Sequence, residues 1–508
     1  MDVGSVIAGL TQGLGRHLAV DGPQGSQTYA ELGDRVMRLA RGLLSLGLEP
    51  GARVLDLQTN QNTYLETDLA LAIAGLTRVA LNHRLRRQDW AAIADDSGAS
   101  AMIYDARFAE PADDLRSGFG EHRTVVIGDG PGRRYERLIN DASPEPLLLD
   151  LPSHALISLN YTSGTTGRPK GVRRTHANRL SSALGMTFDV LGGAPAPEDV
   201  YLHAGPITHT SGLFTLPFLL RGGTQVILPS YDPEAVVDAV LHRGVTHTAL
   251  VPTMIARLLA LPDLPRLKNL RMLGYAGAPM PPEQIRQAYL RLTDGLVQYY
   301  GLVEAMPPVT VLSAADHALG LLDQPDLLTS AGRPCHGVDL RVVDSDGDEV
   351  PIGQVGEVLV RGENVMAGYW GAAGDSIKAV RNGWLHTGDL GRQDEHGRLW
   401  LVDRKGDMII TGGYNVYPRE IEDVIAEASG VREAAVVGVA DPDWGQRIVA
   451  LYTGDAREES VADHCRARLA GYKKPKEIRR VDRFPLNSTG KIAKNVLRAQ
   501  LESERPDE

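Results

Sequence analysis

Tyr161-Thr-Ser-Gly-Thr-Thr-Gly-Arg-Pro-Lys170-Gly-Val172 follows the apolar run Ala155-Leu-Ile-Ser-Leu159, which reads as a buried strand. Two glycines, four hydroxyl side chains and a lysine fall between Tyr161 and Lys170. Glycine lets a backbone bend tightly and come close to a ligand. Successive free N–H groups and hydroxyls make a concave anion site, and a lysine adds a point charge. Such a stretch is either a phosphate-gripping loop or a polar surface turn between strands. Its place after a buried strand, with Lys170 at its end, favours phosphate. It is not the Walker loop, which needs Gly-Lys-Ser/Thr after four spacer residues; here Lys170 follows Pro169.

Around this stretch, 508 residues are enough for more than one domain. With 43% hydrophobic and 23% charged residues, the chain has the composition of a globular protein rather than a disordered one. A net charge of −11 argues against nucleic acid or an anionic membrane as partner. It does not exclude a nucleotide, whose phosphates are held by local loops. The two cysteines, Cys335 and Cys465, lie far apart and in no Cys-x-x-Cys pattern. Neither a disulfide framework nor a zinc site is expected, and a cytoplasmic location fits. Met1-Asp-Val-Gly-Ser5 lacks the basic-then-apolar pattern of a signal peptide, and no apolar run approaches transmembrane length, so no membrane insertion is expected.

Thr28-Tyr-Ala-Glu31 has capping-box spacing and leads into an apolar stripe at Leu32, Val36, Leu39 and Leu43, which predicts a helix. A second helix is expected over Tyr64–Ala74. Short β-like runs at Arg78–Leu81, Ala101–Tyr104 and Thr124–Ile127 alternate with helical patterns, as in a parallel sheet with helices on its faces. The alternation resumes after the loop, with strands at Thr224–Leu228 and Val245–Val251 and helices at Pro233–His242, Thr253–Leu259 and Pro281–Leu292. From about Gly332 the texture turns β-rich, with strands at Asp339–Asp344 and Glu357–Arg361 joined by an Asp346-Gly347 turn. The charged segment Asp403-Arg-Lys-Gly-Asp407 precedes a new unit: strands at Met408–Thr411, Ala434–Val439 and Ile448–Tyr452, a helix from Pro418 and another near Ser460–Leu469. The expected architecture is α/β. An N-terminal domain over 1–403 has parallel αβ-layered sheets and a small β-rich subdomain, and a small mobile α+β domain follows over 404–508.

Five further stretches carry chemistry. Pro206-Ile-Thr-His-Thr-Ser-Gly212 sets His209 among small residues. Tyr275-Ala-Gly-Ala-Pro-Met280 ends a strand with residues small enough to accept a flat ring. Tyr299-Tyr-Gly-Leu-Val-Glu304 offers aromatic faces and a carboxylate. Trp384-Leu-His-Thr-Gly-Asp389 puts an acid in a tight turn. Phe484-Pro-Leu-Asn-Ser-Thr-Gly-Lys491 presents a lysine. Taken singly, these are an interior histidine, a helix-start carboxylate, a turn aspartate and a solvated lysine. Taken together they form the parts of a nucleotide-using enzyme.

The set resembles the adenylate-forming superfamily of acyl- and aryl-CoA synthetases, carrier-protein adenylation domains and luciferases, from about Thr28 to Lys491. The opening loop and Asp403-Arg-Lys-Gly-Asp-Met-Ile-Ile-Thr-Gly-Gly-Tyr-Asn-Val-Tyr-Pro-Arg-Glu-Ile-Glu422 carry the resemblance most specifically. It implies a ligase that joins a carboxylate to ATP, giving an acyl-adenylate and pyrophosphate, then passes the acyl group to a thiol and releases AMP. Thr162, Ser163, Gly164, Thr165, Thr166 and Lys170 match the loop for the β- and γ-phosphates. Gly277, Ala278 and Pro279 match the adenine-binding strand end, and Tyr300 the ring that stacks on adenine. Glu304 matches the Mg²⁺ carboxylate and Asp389 with Arg404 the ribose-binding pair. Lys491 matches the lysine that reaches the reacting carboxylate and α-phosphate. The resemblance further implies a C-terminal domain that rotates between half-reactions about position 406, bringing Gly412-Gly413 to the thiol tunnel. It also implies an acyl pocket gated at His209. Tyr472-Lys-Lys-Pro475 resembles a family motif near the end of that domain, for which a contact to coenzyme A phosphates is a guess.

Two positions depart from the family pattern. Val303 replaces a threonine that touches the α-phosphate, a loss that water or Thr310 could make good. Gly406 stands at the hinge, where Asp or Lys is common. His203–Gly223 contains no acid to pair with an amino-acid amine, which disfavours an α-amino-acid substrate. No carrier domain follows Lys491 in the sequence, so a stand-alone ligase with coenzyme A as acceptor is expected. Transfer to a separate acyl carrier protein is one alternative; adenylation of another small oxyanion for transfer to an amine is a second; a catalytically dead scaffold is a third. The acid pocket is expected around Thr208–Leu213, Tyr275–Gly277 and Tyr299–Val303, which leaves aryl and aliphatic acids open.

Overall fold

The computed structural model describes residues 2–5, 14–143, 145–147, 149–162, 169–486 and 492–504. It contains two compact units: Met1–Leu340 with Val360–Leu385, and Arg341–Leu359 with His386–Glu508.

The first unit holds two large sheets. One has seven strands in the order Arg133–Arg134, Thr124–Ile127, Ala101–Asp105, Arg53–Leu57, Thr77–Ala80, Leu156–Thr162, Lys170–Thr175. Every pairing is parallel except the last. The other has nine strands, running Arg333–Pro334, Ala305–Leu312, Leu296–Leu302, Met272–Tyr275, His247–Leu250, Val200–His203, Thr224–Ile227, Leu18–Gly22, Gly25–Thr28. Its interior is parallel and its edges are antiparallel. The expected α/β class therefore holds.

Local signals work where they are self-contained. The helix Tyr29–Leu44 starts at the expected box: Thr28 N–H donates to Glu31 Oε2 at 2.7 Å, Glu31 N–H donates back to Thr28 Oγ1 at 3.3 Å, and the stripe residues are buried. Pro233–His242 is helical with its proline in the first turn. The Asp346-Gly347 turn forms, its amides donating to the Asp344 carboxylate at 2.9 and 3.0 Å. Several strands escaped the sequence reading, among them Leu18–Gly22, Arg53–Leu57, Val200–His203, Ala305–Leu312 and Lys170–Thr175. Lys170–Thr175 is too polar to read as one, yet it pairs along Leu156–Thr162 and exchanges backbone hydrogen bonds with Ala367–Trp370.

Helix Asn62–Ile73 is buried throughout except at Asp68, which is partly buried, and its Glu66 carboxylate lies fully inside. Burying a charge is costly unless it is paired. Glu66 accepts from Arg35 Nε (2.6 Å), Gln27 (2.6 Å) and the Tyr135 hydroxyl (3.0 Å). Asp68 pairs with Arg78 at 2.8 Å and Arg179 at 3.2 Å, and Arg78 also holds Asp56 while lying over the Tyr64 ring at 4.0 Å. Burial alone would raise the Asp68 carboxyl; Arg179 and Arg78 hold it below its ordinary range. Arg78→Ala strands Asp56 in the core, so its chemical-denaturation curve should show a loss of about 3–5 kcal/mol. An unchanged midpoint would mean that Asp56 finds another partner.

In the second unit the strand that runs on from His386 to Gln393 turns back on Leu399–Arg404, with Asp389 opposite Arg404. Beyond it lie the hairpin Ile409–Thr411/Tyr414–Val416, the helix Pro418–Ala426, the paired strands Val431–Asp441 and Gly445–Gly454, and the helix Glu458–Arg468. Cys335 and Cys465 are both buried free thiols. Among the described residues, no helix is long and apolar enough to cross a membrane.

Candidate active site

In an open parallel sheet, ligands bind where the carboxyl ends of the strands meet their loops. Three of the expected stretches lie there in the nine-stranded sheet. His209 follows the strand Val200–His203, Gly277-Ala278-Pro279 follows Met272–Tyr275, and Tyr300 lies near the end of the neighbouring Leu296–Leu302. Gly277 has φ +87°, a conformation that other residues take only under strain, and Gly277, Ala278 and Pro279 are all exposed. Tyr300 is half-buried beside this edge. A flat ring can therefore be gripped between the small-residue edge and the Tyr300 face.

Leu302 pairs with Ala305, so Val303 and Glu304 form the tip of a tight hairpin. The tip is anchored from below, where Arg174 donates to the Val303 carbonyl at 3.3 and 3.0 Å. Burial pulls the Arg174 guanidinium down to about 10 while Glu304 opposes the shift, so it stays charged at neutral pH. The Glu304 carboxylate accepts from the Tyr369 hydroxyl at 3.0 Å. Lys170 reaches the same tyrosine: its ammonium lies 5.4 Å from the ring centroid and 2.7 Å from Asp375 Oδ2. Tyr369 thus draws together Lys170 and the hairpin carboxylate Glu304, which lie far apart in sequence.

Thr162 and Lys170 face one another across the Leu156–Thr162/Lys170–Thr175 pairing and are the described ends of the opening loop. Ser163, Gly164, Thr165 and Thr166 lie outside the described residues. Thr310, which could have replaced the hydroxyl missing at Val303, is fully buried and donates to the Ala331 carbonyl at 2.6 Å. Its hydroxyl is held inside the sheet edge. His209 is exposed, with Nε2 3.1 Å from the Asn82 amide nitrogen, and opens the short helical turn Thr210–Phe214. Gly212 in that turn is obligatory, since a Cβ there would stand 2.2 Å from the Ile207 carbonyl oxygen.

In the second unit, Arg404 Nε lies 2.6 Å from Asp389 Oδ1. Asp389 is 6% exposed, and its amide is held by the Thr387 hydroxyl at 3.0 Å. Lys405, next in the chain, is tied to Glu357 at 3.0 Å. Nothing would touch a Cβ at Gly406. Gly412 and Gly413 form a two-residue hairpin turn with φ +56° and +83°, as a type I′ turn demands. Beside it is an exposed aromatic and cationic face. Tyr414 stacks on Tyr472 at 4.7 Å, Lys476 lies 4.1 Å over the Trp444 ring, and Trp444 abuts Gly412. Lys491 lies outside the described residues; on either side of it, Leu486 pairs with Ile492.

Tyr369, Asp375, Arg174 and Trp444 were not singled out in the sequence. The Gly-Tyr-Trp run at Gly368–Trp370 was the one available signal for the first. Among the described residues, no group of three or more His, Cys, Asp or Glu side chains could hold a metal ion. A hard cation that takes most of its ligands from phosphates and water needs only one or two carboxylates, and Glu304 beside Lys170 fits that case.

A model of the AMP-binding enzyme family matches residues 11–370, and one of the AMP-binding enzyme C-terminal domain matches residues 420–491. Feruloyl-CoA synthase from an Amycolatopsis species is 38% identical over 482 residues, covering 93% of this chain and 94% of that protein. ATP-bound MatB from Rhodopseudomonas palustris has a TM-score of 0.89 at 31% identity, with 99% of each chain covered. The amide bond synthetase McbA from Marinactinospora thermotolerans has a TM-score of 0.89 at 30% identity, covering 98% of this chain and 100% of that one. With family models on both parts of the chain and relatives that span nearly all of it, the protein belongs to the AMP-binding family of adenylate-forming enzymes.

Proposed function

We propose that the protein activates a carboxylic acid with ATP as an acyl-adenylate and transfers the acyl group to coenzyme A. The observation that carries this reading is the convergence of Lys170 and Glu304 on Tyr369, close to a glycine-ended strand edge suited to adenine. In the first half-reaction an acid oxygen attacks the α-phosphorus and pyrophosphate leaves. In the second, a thiol attacks the acyl carbon and AMP leaves. Two anions resist the first step, so the groups that matter are cations aimed at both. Lys170 with the hydroxyls of Thr162, Ser163, Thr165 and Thr166 would hold the β- and γ-phosphates, with Gly164 letting the backbone approach them. Asp389 and Arg404 would hold the ribose. Lys491 would bridge the carboxylate and the α-phosphate. Mg²⁺, held by Glu304 and the phosphates, would neutralise phosphate charge. His209 would border the acid pocket. The segment from 404 onward, carrying Lys491 and Gly413, would move as the C-terminal domain about Gly406.

Coenzyme A is favoured as acceptor by the face formed by Tyr414, Trp444, Tyr472 and the lysines beside them. Exposed rings with adjacent cations suit an acceptor that carries a purine and phosphates. A carrier protein or a simple amine presents no free base. Stacking on one base is worth about 1–3 kcal/mol, so Trp444→Ala should raise the KM for coenzyme A roughly tenfold while adenylate formation is retained. An unchanged KM would remove this face from acceptor binding. The amide bond synthetase likeness and the missing hydroxyl at Val303 support a second reading, in which the activated acid passes to an amine. Pyrophosphate release with a panel of acids, followed by mass spectrometry with coenzyme A, an acyl carrier protein or an amine, separates the acceptors. An acyl-CoA product is expected. Pyrophosphate release without any thioester would overturn the assignment.

A further inference from the structure

Lys170 and Asp375 are brought together by fixed backbone. Lys170 opens the strand Lys170–Thr175, whose Arg173 N–H donates to the Gly368 carbonyl at 3.0 Å, while the Trp370 N–H donates to the Gly171 carbonyl at 2.7 Å. The Trp370 indole donates to the Asp96 carbonyl at 3.1 Å, and the Tyr161 hydroxyl donates to the Asp96 carboxylate at 2.5 Å. Asp375 lies in the short helix Ala373–Ala379. Ser376 pins that helix: its Oγ accepts the Tyr369 N–H at 2.8 Å and donates to the Ala372 carbonyl at 2.9 Å. Gly368, with φ +97°, leaves room for this contact, since a Cβ there would stand 3.0 Å from Ser376 Oγ. The Asp375 carboxylate thus meets the Lys170 ammonium at 2.7 Å from a braced position.

What the pair does follows from charge. The hydrogen bond and the positive charge of Lys170 hold the Asp375 carboxyl below its ordinary range, so it is ionised at neutral pH. Lys170 does not need Asp375 to keep its place, because it starts a paired strand and lies over the Tyr369 ring at 5.4 Å. A carboxylate and a terminal phosphate ask for the same ammonium, and they repel one another. The two side chains keep 26% and 39% of their surface exposed, so water can stand in for either partner and the pair can open. Once it opens, Asp375 still has the charge of Lys378, one helical turn further on, to favour its ionised form.

We propose that Asp375 is a resident counter-ion of the phosphate-binding lysine: it occupies Lys170 while no nucleotide is bound, yields it to the terminal phosphates of ATP, and takes it back as pyrophosphate leaves. The proposal rests on the acid-activating reading above, in which Lys170 holds the β- and γ-phosphates. Asp375 then weakens every ligand that carries those phosphates and leaves AMP, which ends at the α-phosphate, unaffected. The test is titration calorimetry of the full chain with ATP and pyrophosphate, both with Mg²⁺, and with AMP, each without acid or coenzyme A. Exposed ion pairs are worth little, so Asp375→Asn should lower the Kd for ATP and for pyrophosphate by roughly two- to fivefold, with the Kd for AMP unchanged. In a Lys170→Ala background the same change should lose most of its effect. A purely structural role for Asp375 predicts the opposite sign, since a displaced Lys170 binds phosphate less well. The proposal is overturned if Asp375→Asn leaves the Kd for ATP unchanged or raises it, if AMP tightens by the same factor, or if the tightening persists in full without Lys170. If the wild-type protein binds no ATP, the acid-activating reading itself falls, and the proposal with it.

Discussion

Lys491→Ala is expected to cripple adenylate formation, with kcat/KM for pyrophosphate release reduced by at least ~10²–10³-fold, the size expected when one preorganised charge is removed from a transition state. Thioester formation from synthetic acyl-adenylate continues at close to the wild-type rate. The asymmetry follows from the charges. In the first half-reaction two anions must meet, whereas in the second a thiol attacks an already activated acyl carbon. Measuring both half-reactions on the same preparation decides the matter. Equal loss in both would give Lys491 a general structural role in place of the proposed one.

Glu304→Gln is expected to have the second-largest effect. The amide oxygen can still accept from Tyr369, as Glu304 does at 3.0 Å, so the hairpin tip should keep its place. What is lost is the negative charge offered to the cation. Adenylation should fall roughly 10²-fold at a Mg²⁺ concentration that saturates the wild type, and part of the loss should return as Mg²⁺ is raised. The Mg²⁺ dependence of pyrophosphate release provides the check. A fall in rate with an unchanged Mg²⁺ midpoint would show that Glu304 acts only through Tyr369 and Arg174.

Both predictions concern residues legible in the sequence, each in a short motif whose chemistry is local. Thr28 with Glu31 and Pro233 at a helix start were legible for the same reason, since a few adjacent residues decide the backbone there. The residues that were not legible act across the chain. Arg174 supports the Val303–Glu304 tip, Tyr369 meets both Lys170 and Glu304, and Asp375 pairs with Lys170, all across long stretches of sequence. No periodicity encodes such contacts; they follow from sheet order. Thr310 shows the converse. Its composition and position suggested a spare hydroxyl for the site, but its place in the sheet turns that hydroxyl to the Ala331 carbonyl. The strand Lys170–Thr175 was hidden because it is stabilised by its neighbours rather than by an apolar pattern.

The acid's own oxygen gives the most direct test of the central claim. When an acid labelled with ¹⁸O in its carboxylate is incubated with ATP, Mg²⁺, coenzyme A and enzyme, the attacking oxygen should leave on AMP. Mass spectrometry should then find AMP carrying one ¹⁸O, unlabelled pyrophosphate and an equimolar acyl-CoA. Label in inorganic phosphate with formation of ADP, or AMP without label, would contradict the adenylate account.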